Sequence, residues 1–308
     1  SNVCSCACRF CAFFKAPDQE GGYVLSKDDL ALKIQETLDL GGYQILMQGG
    51  HHPELPLAFY EDMLRFIKKR FPQVHIHAFS PPEIHAFSQL FGMPVAEVVS
   101  RFREAGLDSI PGGGAEILVD AVRRKVSPNK CTASEWLGVM REAHQQGLRT
   151  TATMMFGHEE RPEHRVQHLL AIRELQDETG GFTAFIPWTF QPENTSITAT
   201  PQSPAAYLRL LALARLVLDN VDNLQASWVT MGPKMGQLAL HYGANDFGST
   251  MIEENVVAAA GVSYRLTPQE IEDIIREAGF TPRMRRMNYT LVEPESPGVT
   301  GATGAGHA

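Results

Sequence analysis

The chain is 308 residues long, 44% hydrophobic and 20% charged, the balance of a globular protein with a sizeable core. Its net charge of -8 and the lack of a dense Lys/Arg stripe argue against a nucleic-acid partner. The longest apolar helix candidate, residues 205–218, is interrupted by Arg209 and Arg215, so no stretch is suited to membrane insertion.

From Val24 onward the pattern alternates helix and strand. Ser26 is placed to cap a helix whose apolar face is Leu30, Ile34 and Leu38, and Gly41-Gly42 stop it. Residues 43–47 read as a short buried strand ending in Gln48-Gly49-Gly50, followed by a helix over 57–70. Residues 74–79 alternate as a strand, and helices follow over 83–91 and 94–105. The stretch 107–110 is a strand running into Pro111 and three glycines; Thr132 and Glu135 have capping-box spacing ahead of Trp136, Leu137 and Met140. Strands at 149–156 and 182–190 alternate with helices at 162–179 and 204–218, and 224–229 reads as a last strand. Such repetition implies parallel strands with helical crossovers, in a closed barrel or an open doubly wound sheet; the repeat count favours the barrel. A barrel domain is expected over 1–292, and the Gly, Pro, Ser and Thr-rich tail, 293–308, is expected to be disordered.

Four of the five cysteines fall between positions 4 and 11, which suits a metal or iron–sulfur site in a reducing compartment better than a disulfide framework. Cys4, Cys8 and Cys11 form C-x3-C-x2-C. Three thiolates on a 4Fe–4S cluster leave one iron open to a further ligand. A structural zinc knot would instead use Cys4, Cys6, Cys8 and Cys11, since structural zinc favours four ligands. Cys6 is open between a spare thiol and a fourth ligand, and Cys131, remote in sequence, reads as packing.

The motif C-x3-C-x-F-C followed by Gln48-Gly49-Gly50 resembles the radical S-adenosylmethionine (SAM) superfamily. Longer runs resemble the futalosine-pathway enzymes of menaquinone biosynthesis: QILMQGG at 44–50, HAFSPPE at 77–83, DSIPGGGAE at 108–116, TTATMMFGH at 150–158 and LQDETGGFTAFIP at 175–187. GAND at 243–246 and MIEEN at 251–255 extend the resemblance. Within the family the runs look more like the cyclase branch than the aminofutalosine synthase branch. The resemblance implies a TIM-barrel-like (β/α) radical SAM barrel, lacking part of its N-terminal strand because only three residues precede Cys4. It also implies a 4Fe–4S cluster and SAM as cofactors. The implied substrate is the nucleoside dehypoxanthine futalosine, and the implied electron source an external donor such as flavodoxin or ferredoxin, in the bacterial cytoplasm. A 5′-deoxyadenosyl radical would abstract hydrogen from the substrate ribose, and the carbon radical would attack the benzoate ring. Positioning would then dominate the protein's contribution.

By the same resemblance Cys4, Cys8 and Cys11 are the cluster ligands, and Phe10, Gln48, Gly49 and Gly50 approach the cofactor. Ser80 ends a strand within reach of it. Glu116 is a candidate for its ribose or amino group, with a solvated helix-start acid as the alternative, and Met155 is a candidate for the adenine. His51, His77 and His158 are candidates to accept the final proton, and the sequence does not choose among them. Arg283, Arg285 and Arg286 read as a substrate-carboxylate site or an exposed charged face. Trp188 and Phe190 read as an aromatic contact to substrate or as core.

Overall fold

Ser26 opens the first helix as its spacing predicts. Its Oγ accepts from Asp29 N at 3.1 Å, and the Asp29 carboxylate accepts from Ser26 N at 3.2 Å. In this computed structural model, which describes residues 1–293, helix α1 spans Lys27–Asp39 and leads to strand β1, Gln44–Met47. The alternation continues through α2 (Leu57–Arg70), β2 (His75–Ala78), α3 (Pro81–Phe91), α4 (Val95–Ala105) and β3 (Ser109–Ile110). It goes on through α5 (Asp120–Val126), α6 (Ala133–Gln145), β4 (Arg149–Phe156), α7 (Pro162–Thr179), β5 (Phe182–Thr189), α8 (Pro204–Val217) and β6 (Asn223–Leu224). Four shorter helices follow: α9 (Trp228–Met231), α10 (Pro233–Ala239), α11 (Val256–Ala259) and α12 (Pro268–Glu277). No helix among the described residues is long and apolar enough to cross a membrane.

The six strands are parallel and lie in chain order, β1-β2-β3-β4-β5-β6. A doubly wound sheet reverses strand order at a switch point, so this order excludes that alternative. Sequential right-handed crossovers keep the connecting helices on one face and curl the sheet around the other. The main core lies on the helical face, where Ile76, Ala152, Met154 and Phe185 pack with Leu64, Phe102, Trp136 and Leu169. Period-two alternation turns His75, His77, Thr153, Ile186 and Trp188 to the concave face, the lumen. Leu46 pairs with His77 in register and shares that face; its 55% exposure shows that the lumen is open to solvent.

Two segments differ from the sequence pattern. The strand expected over 224–229 ends at Leu224. Gln225 N still bonds Phe185 O at 3.0 Å, but Ala226 N turns to Asp246 O at 2.9 Å, Ser227 N donates to Tyr207 Oη at 2.8 Å, and Trp228 begins α9. The arginines of the C-terminal segment are not simply an exposed face. Arg285 pairs with Asp246 through Nε at 3.2 Å and Nη2 at 2.6 Å, and Tyr289 Oη donates to the same carboxylate at 2.6 Å. Asp246 itself bridges to Gln225 beyond β6, and Arg285 acts electrostatically on Tyr43, just before β1. The segment therefore packs between the two ends of the sheet. Residues 294–308, the body of the tail expected to lack order, lie outside the described residues.

Candidate active site

The cysteine run is an irregular loop held by backbone bonds at both ends. Cys4 N donates to Lys15 O at 2.8 Å, Ser5 N to His51 O at 3.0 Å, and Arg9 N to Val126 O at 2.9 Å. The first residues lie directly on the glycine turn after β1. Gly50 N donates to Ser1 O at 2.9 Å, and a Cβ on Gly50 would stand 2.0 Å from Val3 O. Glycine is required there by close approach of backbone to backbone. All five cysteines are free; Cys6 and Cys8 are buried, Cys4 and Cys11 half-buried.

The four clustered thiols have different surroundings. Cys4 Sγ accepts from Cys6 N at 3.4 Å and from His51 N at 3.3 Å. Its thiol is drawn down to about 6, first by the hydrogen bond with Cys6. The same pairing, with burial, pushes the Cys6 thiol up. Cys6 Sγ lies 3.1 Å from His51 Nδ1 and 3.7 Å from Asn129 O, which tethers it to the loop wall. Burial pushes Cys8 up to about 12, so its thiolate needs a cation beside it. Among the described residues no three His, Cys, Asp or Glu side chains converge as a single ion requires.

Ser80 caps α3 and orients Glu83. Glu83 Oε2 accepts from Ser80 Oγ at 2.6 Å and Ser80 N at 2.7 Å, while Oε1 accepts from Gly49 N at 3.0 Å. One buried carboxylate thus joins the end of β2 to the turn after β1. Burial pushes its acid up, against the hydrogen bonds from Ser80 and Gly49. Gln48 is exposed, and its amide lies over Gly113, where an added Cβ would stand 2.0 Å from Nε2.

Glu116 is buried, and it adopts a left-handed φ of 40°. Phe79, at the end of β2, has φ 58°. Such conformations are strained for residues with a Cβ and concentrate at functional sites. Glu116 Oε1 accepts from Lys130 Nζ at 3.1 Å, and Arg123 Nη1 lies 3.5 Å from Oε2. Lys130 also stands 4.9 Å from the centre of the Phe10 ring. Burial opposes its charge, but Cys8 and Glu116 outweigh burial and raise its basicity. Beside this group, Phe10, Cys11, Met155, Trp188 and Phe190 line a cleft of about 40 Å³ with Val256 and Val257.

The candidate histidines divide. Burial lowers His51 to about 3, and its Nδ1 is engaged with Cys6. His158 uses both ring nitrogens: Nε2–H donates to Met155 O at 3.0 Å, and Nδ1 accepts from Glu159 N at 2.7 Å. His77 faces the lumen, with Nδ1 2.6 Å from Ser109 Oγ. Sequence reasoning missed Glu83, Arg123, Asn129 and Lys130. Glu83 lies in a run that stood out, but nothing local marks the other three.

Comparisons with known proteins bear on this arrangement. The Radical SAM superfamily model matches residues 1–172, and the model of the CofH/MqnC C-terminal region matches residues 179–297. The chain belongs to the radical SAM superfamily. It is 50% identical to the cyclic dehypoxanthine futalosine synthase of Halalkalibacterium halodurans, over 95% of the chain and 79% of that protein. It is 40% identical to the aminodeoxyfutalosine synthase of Thermus thermophilus, over 95% of the chain and 80% of that protein. Its fold is similar to the crystal structure of methylornithine synthase (PylB), with a TM-score of 0.66, 18% identity and coverage of 92% of the chain and 81% of that structure.

Radical SAM enzymes carry a 4Fe–4S cluster and SAM. The residues present suit both. Three thiols share one short loop with no disulfide, and a buried cation stands beside Cys8. Gly50 leaves no room for a side chain where the loop meets β1, and an apolar cleft adjoins Cys11.

Proposed function

We propose that this chain is a radical SAM cyclase that converts dehypoxanthine futalosine to its cyclic form in futalosine-dependent menaquinone biosynthesis. The observation that carries the reading is its likeness to the Halalkalibacterium halodurans synthase, which runs through both the cysteine loop and the C-terminal region. When bound, the cluster and SAM would supply radical abstraction of a hydrogen atom from the substrate ribose.

The chain's own residues bind, orient and exclude water. Cys4, Cys8 and Cys11 hold the cluster, and Lys130 offsets the negative charge that their thiolates gather. Phe10, Gln48, Gly49, Gly50, Ser80, Glu116 and Met155 line the cofactor. Glu83 is a positioning residue: through Gly49 N and Ser80 it fixes two of the turns that face the cofactor. The lumen residues Leu46, Thr153, Ile186 and Trp188 hold the nucleoside with its ribose and arene close together. Their fixed placement on one sheet face makes ring closure effectively unimolecular. Ser5, Ala7 and Arg9 are exposed on the cysteine loop and offer a short approach for an external electron donor such as flavodoxin or ferredoxin. A reducing compartment, the bacterial cytoplasm, suits thiolate ligands and an oxygen-labile cluster.

Anaerobic incubation of the reconstituted chain with SAM, reductant and dehypoxanthine futalosine tests the reading. The expected result is 5′-deoxyadenosine together with a product lighter than substrate by two hydrogens, and none of either from Cys8→Ser. An adenosyl adduct formed from an enolpyruvyl benzoate, with no cyclised product, would assign the chain to the sister reaction instead.

A further inference from the structure

His77 and His75 lie two residues apart on the lumen face of β2, and both meet one hydroxyl on β3. Ser109 Oγ is 2.6 Å from His77 Nδ1 and 2.7 Å from His75 Nε2. A serine hydroxyl has one proton, so it donates to one imidazole and accepts from the other. The three groups form a directional chain with two hydrogen-bonded states. In one state His77 Nδ1–H donates to Oγ, and Oγ–H donates to His75 Nε2. His77 Nε2 then carries a free lone pair. The outer nitrogens, His77 Nε2 and His75 Nδ1, have no hydrogen-bond partner among the described residues. His77 is 5% exposed, whereas His75 is half-buried. A cavity of about 50 Å³ at the N-terminal ends of the strands touches both rings and is bordered by Arg149 and Asn288.

We infer that His77, Ser109 and His75 form a proton relay that takes the proton released by the substrate's aromatic ring out through the N-terminal mouth of the barrel. This rests on the cyclase reading. After ring closure the arene carries one C–H bond too many, and aromaticity returns when that carbon loses a proton and an electron. The electron passes to a one-electron acceptor of the oxidised iron–sulfur class. The C–H bond breaks and its proton bonds to His77 Nε2. The Nδ1 proton moves to Ser109 Oγ, the Oγ proton moves to His75 Nε2, and the proton on His75 Nδ1 leaves to water. Three bonds form and three break along the relay, and no charge stays on it.

Burial holds the His77 imidazole down to about 3, which disfavours storing a proton on it. A relay needs no stored imidazolium. A proton on a ring carbon that regains aromaticity on losing it is strongly acidic, so even a weak base suffices if it is placed at that carbon. His51 and His158 lack this arrangement, since each has a ring nitrogen committed to a neighbouring wall and neither is linked onward to a second titratable group by a shared hydroxyl.

The test uses the full chain, with Ser109→Ala, His75→Gln and His77→Gln variants. Reconstituted with cluster, SAM, reductant and dehypoxanthine futalosine, each should still release 5′-deoxyadenosine. The yield of cyclised product per 5′-deoxyadenosine should fall at least about tenfold in Ser109→Ala and His77→Gln, and severalfold in His75→Gln. An unchanged yield ratio in both Ser109→Ala and His75→Gln overturns the relay. A second readout needs no cofactor: with 15N-labelled histidine, Ser109→Ala should move the ring-nitrogen signals of His75 and His77 together while leaving that of buried His168 in place. Signals of His75 and His77 that stay fixed also overturn it. A wild-type chain that yields no cyclised product from this nucleoside overturns the cyclase reading itself, a result separable from either failure of the variants.

Discussion

Glu116 shows what one side chain does at this site. Its carboxylate is the buried counter-ion of Lys130 at 3.1 Å and lies 3.5 Å from Arg123. Arg123 has other partners, the carbonyls of Ala115 and Cys131, but Lys130 has no second carboxylate among the described residues. Glu116→Gln keeps the shape and removes the charge, leaving Lys130 buried beside Arg123. Breaking a buried pair from one side costs about 3–5 kcal/mol. Urea unfolding at neutral pH should show a loss of that size, and a loss below about 1 kcal/mol would mean that the charge of Lys130 is compensated elsewhere. At this scale the sequence was readable where the chemistry is local. Gly50 declares itself by its place after a strand, and the spacing of Cys4, Cys8 and Cys11 is the pattern on which the proposed cluster site rests. Lys130 does not declare itself, because its partner Glu116 is 14 residues away in sequence, and the bond that ties Glu83 to Gly49 spans 34 residues although its box with Ser80 is local.

Helix α6 links local capping to the shape of the site. Thr132 Oγ1 accepts from Glu135 N at 3.2 Å, and Glu135 Oε2 accepts from Thr132 N at 2.7 Å. The first turn set by this box carries Trp136, whose indole N–H donates to Gly113 O at 3.1 Å, in the glycine loop over which Gln48 lies. Thr132→Ala removes one acceptor for an end-of-helix N–H and should cost about 1 kcal/mol, while Thr132→Ser should restore most of it. Equal urea midpoints for wild type and Thr132→Ala would show that solvent replaces the cap. Capping boxes of this kind are legible because both partners lie within three residues. The last strand was not. Its stretch 224–229 has the composition of a strand, but a long-range partner, Tyr207, takes the backbone N–H of Ser227 and ends the ladder. The short helices α9 and α11 have only four residues each, too few to leave a periodic signal.

Across the whole molecule, the alternation of elements was enough to indicate parallel strands, but only strand order separates a curled barrel from a doubly wound sheet, and order is a long-range property. The Arg285–Asp246–Tyr289 group between the sheet's ends was hidden for the same reason, its members being 39 and 43 residues apart. Global stability should carry a second long-range signature, in its pH dependence. His168 is fully buried and is lowered to about 3 by burial; His144, between Thr150 and Thr179, is lowered to about 4 by burial and the nearby Arg149. In the unfolded chain both titrate near about 6.5. Below that pH the unfolded chain takes up protons that the folded one refuses until about 3 to 4, so the stability these groups contribute is present above about 6.5 and is lost as pH falls. Each contributes a slope of up to about 1.4 kcal/mol per pH unit in that window. Urea unfolding at pH 6 and pH 5 should therefore differ by about 2–3 kcal/mol from this pair alone, with His51 and His77 acting in the same direction. His144→Gln should lower the slope by about 1 kcal/mol per pH unit. A slope that His144→Gln leaves unchanged would mean that this imidazole takes up a proton in the folded chain as readily as in the unfolded one.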